Sequence, residues 1–210
     1  MSKLYFKFGA MGSSKTANAL MTRFNYLEKN HSVWLIKPQT DTRDDYTDES
    51  GKIVTVVKSR IGLEAPANVI KDNADITELF KTASADIVIN DTVVKTQKID
   101  VIICDECQFF TEDQIDQLKY IAENENVPVI CFGLRSDFRT KLFPGSKRLF
   151  EIADSITEVK SICECGKKAI VNARFDGNGN IATDGAQVEI GGNEKYKSMC
   201  WSCWQKLINK

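Results

Sequence analysis

The string Gly9-Ala10-Met11-Gly12-Ser13-Ser14-Lys15-Thr16 limits the folds open to this chain more than any other feature, because of what flanks it. Before it, Leu4-Tyr5-Phe6-Lys7-Phe8 reads as a short strand. After it, Ala17, Leu20, Met21, Phe24 and Leu27 recur at offsets of three and four, which predicts a helix with one apolar stripe. A second strand, Ser32-Val33-Trp34-Leu35-Ile36, follows at once. Strand, turn, helix and strand in this order make a βαβ unit, which requires a parallel sheet and a right-handed crossover. The turn is glycine-rich and opens a helix, so its backbone N–H groups form a cradle for an anion such as phosphate. There Lys15 is placed to reach β- and γ-phosphates, and Thr16 to offer its hydroxyl to Mg²⁺. The pattern G-x-x-x-x-G-K-[ST] expects glycine where Ser14 stands, and the added Cβ bears on nucleotide affinity.

A second constellation lies farther along. Ile99-Asp100-Val101-Ile102-Ile103-Cys104 is an apolar run suited to a strand buried on both faces, and Asp105 and Glu106 sit at its carboxyl end. Ligands of open α/β sheets bind outside the carboxyl ends of strands, so both acids are expected at the same crevice. Residues along a strand alternate faces, but where the chain turns at a strand end both can serve one site. Asp105 is then the Mg²⁺ carboxylate, and Glu106 the general base for a hydroxyl nucleophile. Behind them Thr111 and Gln114 form a capping box, with Ile115, Leu118, Ile121 and Ala122 at helical spacing. Val127 to Phe132 reads as another buried strand and Leu149 to Ile152 as a short helix. The polar segment Lys37 to Lys52 reads as a loop over one end of the sheet, Ile53 to Val57 as a strand, and Ile61 to Asn90 as a mixture of helix and strand without clear divisions.

The α/β pattern stops near Val159. The next residues hold two close cysteine pairs, Cys163 with Cys165 and Cys200 with Cys203, separated by a glycine-rich stretch. Four thiolates in two pairs meet the needs of a closed tetrahedral structural Zn²⁺ site. Cys104, Cys107 and Cys131 lie in or beside strands and read as small core residues, and His31 carries no chemistry. The division expected is a P-loop nucleotide-binding domain over residues 1–158 and a zinc-binding module over residues 159–210.

Composition narrows the classes. In 210 residues, 28 Lys and Arg face 29 Asp and Glu, so no net field draws the chain to nucleic acid or to an anionic membrane. No apolar run approaches the ~20 residues that cross a bilayer, and seven cysteines fit metal ligation or buried thiols in a reducing compartment. A cytoplasmic location is expected, without nucleic-acid or membrane partners. A nucleic-acid-dependent ATPase and a zinc-ribbon adaptor with a decayed phosphate loop are the competing classes. The first lacks chain length and basic charge, and the second sits badly with Lys15, Thr16, Asp105 and Glu106 together.

With these motifs in place, the sequence resembles the zinc-containing thymidine kinases of bacteria and vertebrate cytosol. The resemblance covers almost the whole chain. It rests on the phosphate loop, Asp41-Thr42-Arg43, Asp105-Glu106-Cys107-Gln108-Phe109-Phe110, Gly133-Leu134-Arg135-Ser136-Asp137-Phe138-Arg139, the paired cysteines, and Gly191-Gly192-Asn193-Glu194-Lys195-Tyr196. It implies an α/β fold with a RecA-like parallel sheet and a small β-rich lasso domain that closes over a nucleoside. It also implies ATP and thymidine as substrates, feedback inhibition by dTTP and a homotetramer. By position, Glu106 takes the proton from the 5′-hydroxyl. Gly9 to Thr16 with Asp105 and Gln108 hold phosphate and Mg²⁺. Met11, Phe109, Leu134, Phe138 and Phe143 line the base pocket, Asn172 touches the base, main-chain groups near Tyr196 read its edge, and Arg43 lies near sugar or phosphates. The glycines between the cysteine pairs predict a lid, Gly177 to Tyr196, that orders only on nucleoside.

Overall fold

The computed structural model describes residues 2–188 and 195–209. In chain order the elements begin with β1 (Leu4–Phe8), α1 (Lys15–Leu27), β2 (Val33–Pro38), β3 (Tyr46–Thr47), β4 (Ile53–Val54), β5 (Val56–Lys58), β6 (Glu64–Pro66) and β7 (Asn68–Ile70). They continue with α2 (Ile76–Thr82), β8 (Ala85–Ile89), β9 (Thr92–Thr96), β10 (Val101–Cys104), α3 (Glu112–Asn124), β11 (Val129–Gly133), α4 (Pro144–Ile152) and β12 (Ser155–Glu158). The last are β13 (Ser161–Ile162), β14 (Lys168–Ala169), β15 (Val171–Arg174), β16 (Tyr196–Met199) and α5 (Trp201–Ile208).

The main sheet runs β12-β1-β11-β10-β2-β8-β9, with β7 also on β2. The pairings from β12 through β2, and that of β7, are parallel; β8 and β9 add antiparallel pairings at the edge. Strands covered on both sides must be apolar at every position, and β10 is buried throughout. Its Val101 and Ile103 join Ala19, Leu20 and Leu27 of α1 in one core. Ile102 and Cys104 face Ile115, Leu118 and Ile121 of α3 and Leu149 of α4 in the other. The Thr111 capping box is formed as the sequence predicts: the hydroxyl accepts from the Gln114 N–H at 3.2 Å and the Gln114 side chain accepts from the Thr111 N–H. After β12 come two small two-stranded sheets, β13-β14 and β15-β16, and the helix α5. Among the described residues no helix is long and apolar enough to cross a membrane.

Three expectations need correction. The stripe on α1 is misplaced, since Met21 and Phe24 are exposed (46% and 58%) while Ala19 is fully buried. Arg23 reaches β8 instead, pairing with Asp86 at 2.6 Å, so the inward face is rotated toward a polar contact that helical spacing alone does not reveal. The segment Lys37 to Lys52 contains β3, which pairs with β4. Ile53 to Val57 is divided between β4 and β5, both outside the main sheet. The ordering device is Lys37, fully buried, whose Nζ donates to Asp45 Oδ1 at 2.7 Å and to the Val56 carbonyl at 2.9 Å.

Candidate active site

The carboxyl ends of β1 and β10, separated by β11 alone, carry the two motifs to one end of the sheet. They border a cavity of about 510 Å³. The loop Gly9 to Thr16 supplies Met11, Gly12, Ser14, Lys15 and Thr16 to its wall, while Gly9, Ala10 and Ser13 do not line it. Gly9 is a packing requirement, because a Cβ there would sit 2.3 Å from the Val159 carbonyl oxygen. Ser14 occupies the left-handed region (φ 63°), so the backbone follows the path a glycine would take in spite of the side chain. Lys15 is buried and folds onto its own loop, donating to the Ala10 carbonyl at 2.9 Å and to Ser13 Oγ at 3.3 Å. Burial lowers its pKa against the opposing pull of Glu106 and Asp105.

The two acids experience different fields. Burial, with the adjacent Glu106 charge, raises Asp105 to about 7, and a hydrogen bond with Thr16 resists the rise. Burial also pushes Glu106 up, but the Arg43 and Lys15 cations and the Gln108 hydrogen bond outweigh it and hold the carboxyl below its ordinary value. Arg43 Nη2 donates to Glu106 Oε1 at 2.5 Å, and its Nε to Asp41 Oδ1 at 2.7 Å. Gln108, expected on the phosphates, spends its amide on protein. Its Nε2 donates to Glu106 Oε2 at 2.5 Å, and its Oε1 accepts from the Leu134 N–H at 2.9 Å.

Part of the cavity wall is apolar. Phe109 and Phe143 meet edge to face at 5.6 Å, and Leu134 and Phe138 line the same cavity. Phe138 is covered by the Arg174 guanidinium, 3.6 Å from the ring centroid. Tyr196 and Asn172 reach the cavity from β16 and β15. Asn172 is more a strut than a free reader of a ligand. Its Oδ1 accepts from the Met11 N–H at 2.7 Å and its Nδ2 donates to the Ser136 carbonyl at 2.9 Å, so it ties β15 to the loop Gly9 to Thr16.

Part of the expected lid is hydrogen-bonded to its surroundings. Arg174 donates to the carbonyls of Ala186 and Asp184, and Gln187 Nε2 donates to Asp137 Oδ2 at 3.1 Å. Residues 189–194 of that expectation, with Gly191, Gly192, Asn193 and Glu194, lie outside the described residues. In the C-terminal module the Sγ atoms of Cys163, Cys165, Cys200 and Cys203 all lie within 4.8 Å of one another. Cys165 and Cys200 are 3.6 Å apart, close to the ~3.8 Å edge of a tetrahedron with 2.3 Å metal–sulfur bonds. The cluster can hold a metal ion such as zinc.

Sequence reasoning missed the hairpin tip Ser59 to Gly62 between β5 and β6, which also lines the cavity. The available signal was a glycine three residues after a serine, between two runs of strand-forming residues.

The thymidine kinase family model matches residues 2–204. The thymidine kinase of Enterobacteria phage T4 is 41% identical over 210 residues, all of this chain and 99% of that one. Those of Photorhabdus laumondii and Rhizobium meliloti are each 39% identical over 210 residues, covering 96% and 100% of their own lengths.

Proposed function

This chain belongs to the thymidine kinase family, and we propose that it transfers the γ-phosphate of ATP to the 5′-hydroxyl of thymidine, giving dTMP and ADP, with deoxyuridine as a second acceptor. The observation that carries the reading is the joint presence of Lys15, Glu106 and the aromatic Phe109, Phe138 and Phe143 on one cavity. A polyphosphate on the Gly9 to Thr16 loop and a flat base against Phe109, Leu134, Phe138 and Phe143 leave the sugar near Glu106. Glu106 accepts the hydroxyl proton as the oxygen attacks phosphorus, and Gln108 and Arg43 aim its two oxygens. Asp105 and Thr16 form the set that would hold Mg²⁺, which supplies charge neutralisation of the phosphates when bound. Lys15 turns from Ala10 to the phosphates. Apolar walls and the strut from Asn172 help exclude water, which keeps ATP from hydrolysis.

Residues 1–158 act as the nucleotide-binding domain and residues 159–210 as the lasso domain, held by structural zinc on the four cysteines. Main-chain groups near Tyr196 read the thymine edge, and dTTP acts as a feedback inhibitor. The enzyme works in the cytoplasm as a homotetramer, for which exposed Met21 and Phe24 offer apolar surface. The test is a coupled assay of ADP release across thymidine, deoxyuridine, deoxycytidine and purine nucleosides. Release stimulated by thymidine and deoxyuridine alone is expected; release independent of nucleoside refutes the assignment.

A further inference from the structure

We propose that Arg174 is a positioning residue for the nucleoside: it fixes the ring of Phe138, and with it the wall against which the base lies. The proposal deepens the reading of this cavity as a thymidine kinase site and rests on it. An arginine is seldom buried unless its donors are engaged, and Arg174, at the end of β15, is 5% exposed. Its Nη1 donates to the Ala186 carbonyl at 2.9 Å and its Nη2 to the Asp184 carbonyl at 3.1 Å. The guanidinium carbon lies over Phe138, 3.6 Å from the ring centroid. A guanidinium donates from its edge and leaves its faces free for an aromatic ring, so one side chain makes both contacts at once. Gly185 leaves the room for it. A Cβ there would meet Arg174 Nη2 at 2.5 Å, and the φ of 124° is one that side chains disfavour. Arg174 itself is off the cavity wall, whereas Phe138 is on it.

The backbone under the ring is held by its neighbour. Asp137 is 2% exposed, and its Oδ1 accepts from the N–H groups of Arg139 and Lys141 at 2.9 Å each, which closes the turn that carries Phe138. Its Oδ2 accepts from Gln187 Nε2 at 3.1 Å, so the stretch 184–187 is tied to the neighbour of Phe138 as well as to Arg174. What the backbone leaves open is the torsion of the ring, whose minima are broad for an aromatic side chain. Arg174 closes that freedom. Rotation of the ring away from the guanidinium gives up the cation–π contact, and movement of the guanidinium after it gives up two hydrogen bonds to carbonyls. A pocket for a flat base depends on such planes, because binding is tighter when the wall is in place before the ligand arrives. The polyphosphate end has a separate support: the strut from β15 to the loop Gly9 to Thr16 is Asn172, and it stands without Arg174.

The test is R174A and R174K in the full-length enzyme, with F138L as a second background. R174A is expected to raise the thymidine dissociation constant at least about tenfold while that of a non-hydrolysable ATP analogue stays within about twofold. R174K should recover part of the loss, since an ammonium can reach the carbonyls but has no flat face for the ring. In the F138L background R174A should weaken thymidine by less than about twofold further, because Arg174 acts through the ring. Unchanged thymidine affinity in R174A would overturn the proposal, as would an equal loss of both ligands or losses that add in full in the F138L background. Should R174A not fold, G185A carries the same test, because its Cβ displaces the guanidinium; it must show the same selective loss, and normal thymidine affinity in it refutes the role. Ring motion in the ligand-free protein separates this idea from the kinase reading. Even if wild type binds no thymidine, the ¹³C-labelled Phe138 ring must flip at least about tenfold faster in R174A than in wild type by NMR relaxation; equal flip rates refute the contact.

Discussion

Replacing Ser14 by glycine should stabilise the protein without harming the site. Ser14 is the residue before α1, at φ 63° and ψ 26°, and its side chain makes no capping hydrogen bond. Its carbonyl accepts from the Asn18 N–H at 2.9 Å and from Asn18 Nδ2 at 2.8 Å, contacts that glycine retains. A non-glycine residue in the left-handed region costs about 1–2 kcal/mol. Glycine gives back about 0.4–1 kcal/mol through the greater freedom of the unfolded chain. The expected net gain is about 0.5–1 kcal/mol. For a chain of this size that corresponds to a rise in Tm of roughly 1–4 °C. Because the loop already follows a glycine-like path, KM for ATP should change by less than about threefold. Ser14→Ala, which keeps the Cβ, serves as the control and should not gain. Thermal and urea unfolding decide the matter. A Ser14→Gly protein no more stable than wild type, or an alanine variant equally stabilised, would show that the Cβ in a left-handed backbone is not the source of strain.

Glu106→Gln keeps size and polarity but loses the basic oxygen, so kcat should fall on the order of 10²-fold or more with thymidine affinity retained; near-normal turnover excludes the general-base role. Asp105→Asn should abolish turnover yet raise thermal stability in metal-free buffer at pH 8. A carboxyl whose pKa rises from 3.8 to about 7 on folding stabilises the fold below pH 3.8, and loses that contribution as pH climbs through about 7. The advantage of the asparagine variant should therefore shrink between pH 7 and pH 4, and an advantage independent of pH contradicts the assignment. Cys200→Ser is informative because Cys200 also caps α5, accepting from the Cys203 N–H, and serine is a good cap. The variant removes the thiolate alone. Elemental analysis should find one zinc per wild-type chain and none in the variant, whose C-terminal module should melt before the sheet; equal metal content in both rules the quartet out.

What was legible in the sequence was written in local chemistry. The βαβ start, the wholly apolar β10 and the Thr111 capping box depend on residues a few positions apart, and each formed as read. The cysteine pairs were legible because thiolates in two close pairs have few structural uses. The region from Lys37 to Thr96 was not, since the strands β3 to β9 are two to five residues long and several pair outside the main sheet. Too few residues fall in each to establish a period. Gln108 and Asn172 were legible as members of the site, whereas their partners were not, because Leu134, Met11 and Ser136 are brought to them only by the tertiary fold.

The sequence expects Asp105 and Glu106 at one crevice, but only Glu106 lines the cavity, and the backbone explains how the two part. Glu106 lies at φ 49°, the left-handed region, which breaks the extended path immediately after Asp105 and turns the chain into the tight turn Cys107–Phe109. Asp105 stays buried against Thr16 while Glu106 swings to the cavity wall. The strain of about 1–3 kcal/mol that such a conformation stores is held in place by Arg43, by Gln108, and by the Phe109 N–H donating to the Glu106 carbonyl at 3.1 Å. Ser14, on the same cavity, is the matching case in the loop Gly9 to Thr16, but the two differ in consequence. Glycine can replace Ser14 because its side chain makes no capping hydrogen bond, whereas at Glu106 the strained backbone is what brings a carboxylate to the cavity wall, so relief of that strain would withdraw the proposed base with it.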